Sequence, residues 1–351
     1  MENRKLSAKE IIESYRGRHL RIMEVCGTHT HEIFRLGIRK ILPEAVELIS
    51  GPGCPVCVTP VGFIDEAVML ALDRSAAICT FGDLVRVPGT EMSLAGARSK
   101  GATIKMVYSP LDAVAYAQEH PDRNVVFLAV GFETTTPAAC LAAKKAKAAG
   151  LGNFSLLVAN KTMPNAYRVL KDSTDAFLYP GHVNAIAGTA VCEQLVKEGV
   201  SGVVAGFTAN ELLTALAVVI ELSKKGKPFF RNCYPRVVKP EGNVPARELM
   251  NEVMEPCDAE WRGLGVIKAS GLKLRAPYRD LDARLRFSLP KITGRSNPAC
   301  RCGDVLQGKC RPSDCSLFGA GCTPGHPVGA CMVSNEGACS AYYQYGGNFN
   351  G

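Results

Sequence analysis

The chain has 351 residues, of which 47% are hydrophobic and 21% are charged, and its mean hydropathy is +0.05. This balance excludes an intrinsically disordered protein, and the length predicts about two to three domains. The net charge of +8 arises from 41 basic and 33 acidic residues scattered along a chain with only 7% aromatic residues, so we expect no nucleic-acid partner.

Short apolar runs alternate with helical stretches through the first two thirds of the chain. The predicted strands are residues 20–25, 46–49, 76–81, 103–108, 125–130, 154–158 and 202–205. The predicted helices are residues 33–42, 64–72, 111–118, 138–149 and 185–198. This alternation indicates parallel sheets with helices on both faces. Two small α/β domains are expected, at residues 1–120 and 121–225, with their boundary in the polar segment 120–124.

The first candidate site is the segment Cys-Gly-Thr-His-Thr-His at residues 26–31, between a predicted strand and a helix expected to begin near Glu32. Ligands of open α/β sheets bind beyond the carboxyl ends of the strands. A helix N-terminus lowers the pKa of a nearby thiol, so Cys26 is expected to bind metal or attack an electrophile as a thiolate. His29 and His31 can ligate a metal or carry protons. A buried cysteine beside two turn histidines explains the same segment equally well.

The second candidate site is the segment Gly-Pro-Gly-Cys-Pro-Val-Cys at residues 51–57. A Cys-x-x-Cys pair at a strand-to-helix turn suits a redox-active dithiol, because Cys54 can become a thiolate and Cys57 can resolve a mixed disulfide. The pair also suits metal binding, but structural zinc needs further ligands, which only Cys26 and its histidines offer. If the first two predicted strands are neighbours, Cys26, Cys54 and Cys57 converge on one cleft.

Two further polar turns follow predicted elements. Gly-Phe-Glu-Thr-Thr-Thr-Pro occupies residues 131–137, where Thr136 and Pro137 predict the N-cap and first residue of a helix. This leaves Glu133 free to line a polar pocket, and the remaining threonines free to hold an anion. In the second unit, Pro-Gly-His-Val-Asn at residues 180–184 places His182 in a comparable position.

The β/α alternation is lost near residue 226, and the last fifty residues carry Gly, Pro and Cys without long apolar periodicity. We therefore expect an irregular C-terminal domain at residues 226–351 that a metal centre stabilises. Seven of the fifteen cysteines lie between residues 300 and 339, at Cys300, Cys302, Cys310, Cys315, Cys322, Cys331 and Cys339. Four thiolates suit zinc or an iron–sulfur cluster. The lack of Cys-x-x-Cys pairs in this region favours the cluster but leaves its four ligands open.

The predicted location of the protein is the cytoplasm. The start of the chain is polar and amphipathic and lacks the apolar core of a signal peptide. The longest apolar stretch, residues 212–222, contains Thr214 and Glu221 and is shorter than the about 20 apolar residues needed to cross a bilayer. We expect no membrane partner. The many cysteines of a reducing compartment then indicate metal binding or redox chemistry.

Taken together, these motifs resemble the HypD family of nickel–iron hydrogenase maturation proteins. The resemblance covers nearly the whole chain, from the segment at residues 26–31 to the cysteine-rich stretch at residues 300–345. It implies two α/β domains and a third domain that holds a 4Fe–4S cluster. It also implies a scaffold for assembling the Fe(CN)2CO moiety of the hydrogenase, rather than a conventional turnover enzyme. The implied partners are HypC and HypE, with HypE as the origin of the cyanide groups.

The same resemblance implies roles for individual residues. Cys26 would hold the nascent iron together with a cysteine of HypC, while Cys54 and Cys57 would form the redox-active dithiol and contact the iron. The cleft would be lined by His29, His31, Glu133 and His182. The cluster would be held by Cys300, Cys315, Cys322 and Cys339, with Cys302 and Cys331 as additional candidates. Iron with diatomic ligands prefers soft thiolate donors, and cyanide transfer needs a shielded pocket, so the chemistry agrees.

Two alternatives remain open at this point. The chain is also consistent with a stand-alone thiol–disulfide oxidoreductase that uses Cys54 and Cys57, takes electrons from a cluster and does not need Cys26. A third hypothesis is a binding protein whose C-terminal cysteines hold structural zinc.

Overall fold

The computed structural model describes residues 6–346, so the polar start of the chain (residues 1–5) and residues 347–351 lie outside the described part. The strands are β1 (Leu20–Glu24), β2 (Val46–Ser50), β3 (Ala77–Thr80), β4 (Ile104–Met106), β5 (Val125–Ala129), β6 (Phe154–Val158), β7 (Ala176–Pro180), β8 (Gly202–Ala205), β9 (Phe230–Asn232), β10 (Met254–Trp261) and β11 (Gly265–Leu274). The α-helices are α1 (Ala8–Glu13), α2 (Gly27–Arg35), α3 (Pro55–Val58), α4 (Val61–Leu72), α5 (Gly82–Val85), α6 (Leu94–Ser99), α7 (Pro110–Glu119), α8 (Thr136–Ala148), α9 (Pro164–Leu170), α10 (Gly181–Ala187), α11 (Ala190–Lys197), α12 (Ala209–Ser223), α13 (Val244–Val253), α14 (Ala283–Arg286), α15 (Cys302–Leu306), α16 (Ala330–Val333) and α17 (Ala338–Tyr345).

Two parallel sheets organise the first two thirds of the chain. The first sheet has the order β2-β1-β7-β8-β9, and the second has the order β4-β3-β5-β6. In the first sheet, Ile22 pairs with Leu48 on one side and with Ala176 on the other. Strands β5, β6 and β7 are buried along their whole length, which is the pattern of strands covered on both faces. The predicted α/β class with parallel sheets is confirmed.

Sheet membership does not follow the division predicted from the sequence. The chain leaves the first sheet after β2, builds the second sheet from β3 to β6, and returns to the first sheet at β7. The predicted boundary at residues 120–124 therefore falls inside the second sheet, between β4 and β5. Hydrophobic periodicity identifies strands but carries no information on which strands pair, so the sequence did not reveal this order of strands. As units of folding, the three predicted domains stay a prediction.

All seven predicted strands are present. Four further strands, β7, β9, β10 and β11, were not predicted from the sequence. Strand β7 is a five-residue run that ends in Pro180, a residue type that usually interrupts strands. Strand β9 has only three residues. Strands β10 and β11 form an antiparallel hairpin within the region predicted to be irregular. The alternating burial of β10 shows that only one face of this hairpin packs against the rest of the protein.

Helix boundaries differ from the prediction at three places that bear on the site. Helix α2 begins at Gly27 rather than near Glu32, so the predicted turn at residues 26–31 is largely helical. Helix α8 begins at Thr136 with Thr135 at its N-cap, one residue earlier than predicted. The predicted helix at residues 185–198 is two helices, α10 and α11, because Gly188 has a φ of 81° in the left-handed region.

One hydrophobic cluster joins both sheets, the β10–β11 hairpin and the cysteine-rich tail (residues 300–346). Its members include Val25, Cys54 and Cys57 from the first sheet, Phe132 and Met163 from the second, Trp261 from the hairpin, and Cys302, Leu306 and Cys331 from the tail. The tail therefore packs against the carboxyl edges of the sheets instead of forming a core of its own.

The apolar stretch at residues 212–222 lies within α12. A capping box between Thr208 and Glu211 begins this helix, and Leu216 and Ile220 pack on its buried face in a cluster that includes Ile22 of β1. Within residues 6–346, no helix combines the length and the apolar character needed to cross a bilayer.

A buried ion pair lies directly before Cys26 in the chain. The Glu24 side chain is fully buried in β1, where it accepts hydrogen bonds from Arg39 and from Ser50 Oγ, the latter at 2.8 Å. Arg39 also donates to the Leu48 carbonyl at 2.6 Å. Burial raises the pKa of Glu24, and the Arg39 charge opposes the increase. These bonds tie β1, β2 and the segment after α2 into one unit.

Replacing Arg39 by Met should lower the free energy of unfolding by about 3 kcal/mol near neutral pH, because a buried carboxylate loses its partner. A carboxyl with a raised pKa binds its proton more tightly in the folded chain, so its contribution favours folding at low pH and is lost as pH rises. Losing Arg39 enlarges that shift. Urea unfolding should therefore show a smaller loss at about pH 5 than at about pH 7.

Arg35→Met is the matched control on α2. Arg35 pairs with Glu32 at the surface, where the arginine side chain is 51% exposed, and such pairs contribute about 0.5 kcal/mol. Equal losses for Arg39→Met at both pH values would contradict the assigned role of Glu24.

Candidate functional site

The loops that follow β2, β1, β7 and β8 lie side by side at one edge of the first sheet. These strands are parallel neighbours, and the carboxyl ends of parallel neighbours meet at the same edge. Cys54 is the N-cap of α3 and Cys26 is the N-cap of α2. His182 lies in the first turn of α10, and Phe207 follows β8. The hypothesis that the first two predicted strands are neighbours is confirmed.

The Cys54 loop lies directly against the Cys26 loop. The backbone N–H of Gly27 donates to the Gly53 carbonyl at 3.2 Å. A Cβ atom on Gly53 would lie 2.2 Å from the backbone nitrogen of Cys26, so only glycine permits this approach. Both thiols are nearly enclosed, with Cys26 6% and Cys54 3% exposed. The sequence Gly-Pro-Gly-Cys thus brings two cysteines from neighbouring strands to one place.

Burial controls the protonation of Cys26. Burial raises the pKa of Cys26 to about 12, and the negative charge of Glu336 also raises it. The backbone N–H of His29 lowers this pKa, but by less. The expectation of a low thiol pKa at this helix N-terminus is therefore wrong, because desolvation of the thiolate exceeds the effect of the helix end. A bound cation would restore the thiolate, since metal binding displaces the thiol proton.

Glu336 reaches this site from the tail, and sequence reasoning missed it. Thr28 Oγ1 donates to Glu336 Oε1 at 2.8 Å across a sequence separation of 308 residues. The carboxylate also acts electrostatically on His182, where it opposes the lowering of the pKa by burial. The single sequence signal for Glu336 is its place between two cysteines of the tail, Cys331 and Cys339.

Two histidines flank the ring of Phe207. The centroid of the Phe207 ring lies 4.8 Å from His29 and 3.9 Å from His182, which it stacks against. His29 Nε2 hydrogen-bonds the Gly206 carbonyl at 3.0 Å, so Nε2 carries the proton and Nδ1 is an acceptor. Burial lowers the pKa of His29 to about 4, and this keeps the ring neutral. Within the described residues, the buried Nδ1 has no hydrogen-bond partner.

His31 lies on another face of α2. Its Nε2 is 3.4 Å from the Tyr345 hydroxyl, and the two rings pack edge to face with centroids 5.3 Å apart. This contact connects α2 to α17. His31 was predicted to line the cleft with His29, Glu133 and His182, but its ring contacts the C-terminal helix.

Glu133 comes from the second sheet, after β5. Its Oε1 accepts a hydrogen bond from the Met163 N–H at 2.9 Å, while its buried Oε2 has no partner among residues 6–346. Burial raises the pKa of Glu133 to about 7 against that hydrogen bond. Burial raises the pKa of the neighbouring Tyr167, and the charge of Glu133 raises it further. A carboxyl that titrates near neutral pH suits proton transfer.

A line of thiols runs from the Cys-x-x-Cys turn into the tail. Cys57 is fully buried, and its thiol donates to the Ala330 carbonyl at 3.9 Å, beside Cys331. The pKa of Cys57 is raised, because the lowering by the Cys331 thiol is outweighed by the Cys54 thiol and by burial. The Cys302 thiol donates to Cys331 Sγ at 2.6 Å, not far above the about 2.05 Å of a disulfide bond. From the sequence, Cys302 and Cys331 were only additional candidates for ligands of the cluster.

Six tail cysteines line one pocket. They are Cys300, Cys302, Cys315, Cys322, Cys331 and Cys339, and they include the four predicted cluster ligands. Leu317, Phe318 and Met332 form apolar walls. The backbone N–H of Val328 donates to Cys322 Sγ at 3.3 Å. Cys310 lines a different groove, beside β2.

The donor set of this pocket fits an iron–sulfur cluster. Each of its cysteines is a free thiol, and clusters of this class take four thiolates that bind separate iron atoms. N–H groups aimed at sulfur, as at Cys322, are typical partners of such thiolates. In residues 6–346, no three His, Cys, Asp or Glu side chains have the spacing to hold a single metal ion.

Comparison with known proteins identifies the family of this chain. A sequence model of the family HypD, described as the hydrogenase formation hypA family, matches residues 3–346. The chain is 43% identical to the hydrogenase maturation factor HypD of Cupriavidus necator, over 97% of this chain and 94% of that protein. It is 44% identical to HypD of Escherichia coli, over 93% of this chain and 90% of that protein. It is 45% identical to HypD of Rhodobacter capsulatus, over 93% of this chain and 89% of that protein. The chain therefore belongs to the HypD family of hydrogenase maturation factors.

Proposed function

We propose that this protein is the scaffold on which, together with HypC, the Fe(CN)2CO moiety of a nickel–iron hydrogenase is assembled, with cyanide accepted from HypE. The observation that carries the proposal is the contact between the Cys26 loop and the Cys54 loop at the carboxyl edge of the first sheet. Thiolates are the soft donors that iron with diatomic ligands prefers, and here they lie in an enclosed site. The iron is cargo rather than a resident cofactor.

The residues around Cys26 supply distinct parts of this chemistry. Cys26 keeps 6% exposure, through which a cysteine of HypC would share the iron with it. His29 Nδ1 offers a buried acceptor, and the free Oε2 of Glu133 can take up a proton that metal binding displaces. His182 and Glu336 stand at the entrance, where the partner proteins would approach. Desolvation strengthens each of these electrostatic interactions.

The cysteine pocket of the tail is proposed to hold a 4Fe–4S cluster through Cys300, Cys315, Cys322 and Cys339. When bound, such a cluster supplies single electrons at a potential set by its surroundings. The other two pocket cysteines lie deeper, with Cys302 6% and Cys331 0% exposed, and Cys331 belongs to the same packed cluster as Cys57, whose thiol donates to the neighbouring Ala330 carbonyl. This contact favours Cys302 and Cys331 as an exchange pair instead of cluster ligands.

The line of thiols supports two-electron exchange between the pairs. With Cys54 and Cys57 oxidised, Cys331 attacks Cys57, the Cys54–Cys57 bond breaks, and Cys54 leaves as a thiolate that takes up a proton. Cys302 then attacks Cys331 and releases Cys57. The first pair ends reduced and the second ends as a disulfide, so no other oxidant or reductant is consumed. The tail can thereby set the redox state of the dithiol beside the iron site.

The Cys26→Ala variant separates the scaffold from the stand-alone oxidoreductase. Protein purified with HypC and the other maturation factors should show C≡N and C≡O stretching bands in its infrared spectrum, and Cys26→Ala should lose them because iron loses its thiolate. Cys79→Ala is the control and should keep the bands, since Cys79 is a fully buried cysteine within β3 of the second sheet. Bands retained in Cys26→Ala would refute the role of Cys26. A wild-type protein without bands that turns over small disulfides would support the oxidoreductase.

Cluster binding is tested by composition. The anaerobically purified wild-type protein should contain about four iron and four acid-labile sulfide per chain. Cys315→Ala should lose most of both, because it removes one thiolate of the pocket. Cys310→Ala should keep them, since Cys310 lies outside that pocket. Zinc in place of iron and sulfide would refute the cluster and favour a zinc-stabilised tail.

The exchange pathway predicts which cysteines can be joined. In the double variant Cys54→Ser, Cys302→Ser, mild oxidation with diamide should link Cys57 to Cys331, because Cys57 packs against the helix that carries Cys331. Mass spectrometry of non-reduced peptides would detect the link. In the control, Cys54→Ser, Cys331→Ser, no link from Cys57 to Cys302 should form. The same yield of linked peptide in both variants would contradict the proposed order of thiols.

A further inference from the structure

A buried arginine that belongs to neither thiol site lies between them. Arg262 follows Trp261 at the turn of the β10–β11 hairpin and is 9% exposed. Its backbone N–H donates to the Val58 carbonyl and its Nε donates to the Thr59 carbonyl, both at 2.8 Å. These carbonyls lie at the C-terminal end of α3, where no helical partner is available to them. Arg262 therefore clamps the hairpin onto the short helix that carries Cys57.

The same hairpin turn also contacts the helix at the edge of the cysteine pocket. A Cβ atom on Gly263 would lie 2.4 Å from Gly303 Cα, so only glycine allows the two backbones to meet. Gln307 Nε2 donates to the Gly263 carbonyl at 2.6 Å. The pKa of Cys300 is raised by its hydrogen bond with Cys302 and by burial, and the positive charge of Arg262 opposes this. The guanidinium therefore acts electrostatically on the first cysteine of the pocket.

One donor of this guanidinium is unused. Arg262 Nη2 is buried and has no hydrogen-bond partner within residues 6–346. A buried charged donor without a partner is costly in free energy, so such a group calls for an acceptor. A protonated thiol is a weak acceptor, whereas a metal-bound thiolate carries the negative charge that a guanidinium prefers.

We propose that Arg262 is a positioning residue that donates a hydrogen bond from Nη2 to the sulfur of Cys300 in the cluster-bound protein, and that it raises the reduction potential of the cluster. This inference rests on the proposed 4Fe–4S cluster. A nearby positive charge and an N–H···S hydrogen bond both stabilise the more negative, reduced state. Because the same side chain holds the Thr59 carbonyl, it ties this effect to the position of the helix that carries Cys57.

The test is a redox titration of the cluster monitored by electron paramagnetic resonance. Arg262→Met removes both charge and donor and should lower the midpoint potential, with the reduction equilibrium falling about tenfold, which is about 59 mV for one electron. Arg262→Gln keeps an uncharged N–H donor and should lie between Met and wild type. Arg262→Lys keeps the charge and should lie nearest to wild type. Lys268→Met removes an exposed positive charge from the same hairpin and should leave the potential unchanged.

The outcomes distinguish this inference from the proposed function. A wild-type protein without iron and sulfide would refute the cluster itself. Clusters of equal potential in the wild type and all three Arg262 variants would overturn the role of Arg262 and leave the cluster intact. If Arg262→Met fails to assemble a cluster, the midpoint potentials of Arg262→Gln and Arg262→Lys test the role of Arg262 instead. Loss of the cluster in all three variants would make Arg262 a structural clamp and overturn the effect on potential.

Discussion

The parallel pairing of β2, β1 and β7 is the constraint on which the site depends. Because all three strands run in one direction, the residues after them, Cys54, Cys26 and His182, meet at one edge of the first sheet. An antiparallel partner would have sent one of these loops to the opposite edge. Gly53 then completes the approach, since its lack of a side chain lets the Cys54 loop contact the Cys26 backbone. The chemistry of the site follows from this geometry.

Desolvation sets the protonation states of the buried groups in the site. Burial keeps Cys26 protonated, keeps His29 neutral and holds Glu133 near the midpoint of its titration. When a cation enters, Cys26 can lose its proton because the positive charge stabilises the buried thiolate, and the neutral His29 already offers an unprotonated nitrogen. A site that stores protons in this way suits a protein that receives and releases a metal fragment, since metal binding and proton release are coupled.

The cysteine-rich tail is joined to the sheets by contacts rather than by a core of its own. The helix that carries Cys331 packs against Cys57, Glu336 reaches Thr28, and Arg262 of the hairpin reaches the end of α3. The first two contacts couple the tail to the cleft, and the third couples the hairpin to it. The arrangement explains how a segment with little apolar periodicity is ordered and why some of its cysteines lie close to the Cys-x-x-Cys pair.

The sequence by itself determined the local parts of this protein. The apolar runs predicted seven of the strands, and the Cys-x-x-Cys turn and the Cys-Gly-Thr-His segment were recognisable. Local patterns suffice there because a strand or a turn is encoded within a few residues. Tertiary structure alone decided the pairing of β1 with β7, the packing of Cys57 against the helix that carries Cys331, the place of Glu336 and the raised pKa of Cys26. Those features depend on burial and on contacts between segments far apart in the chain, and a single sequence does not record which distant segments meet.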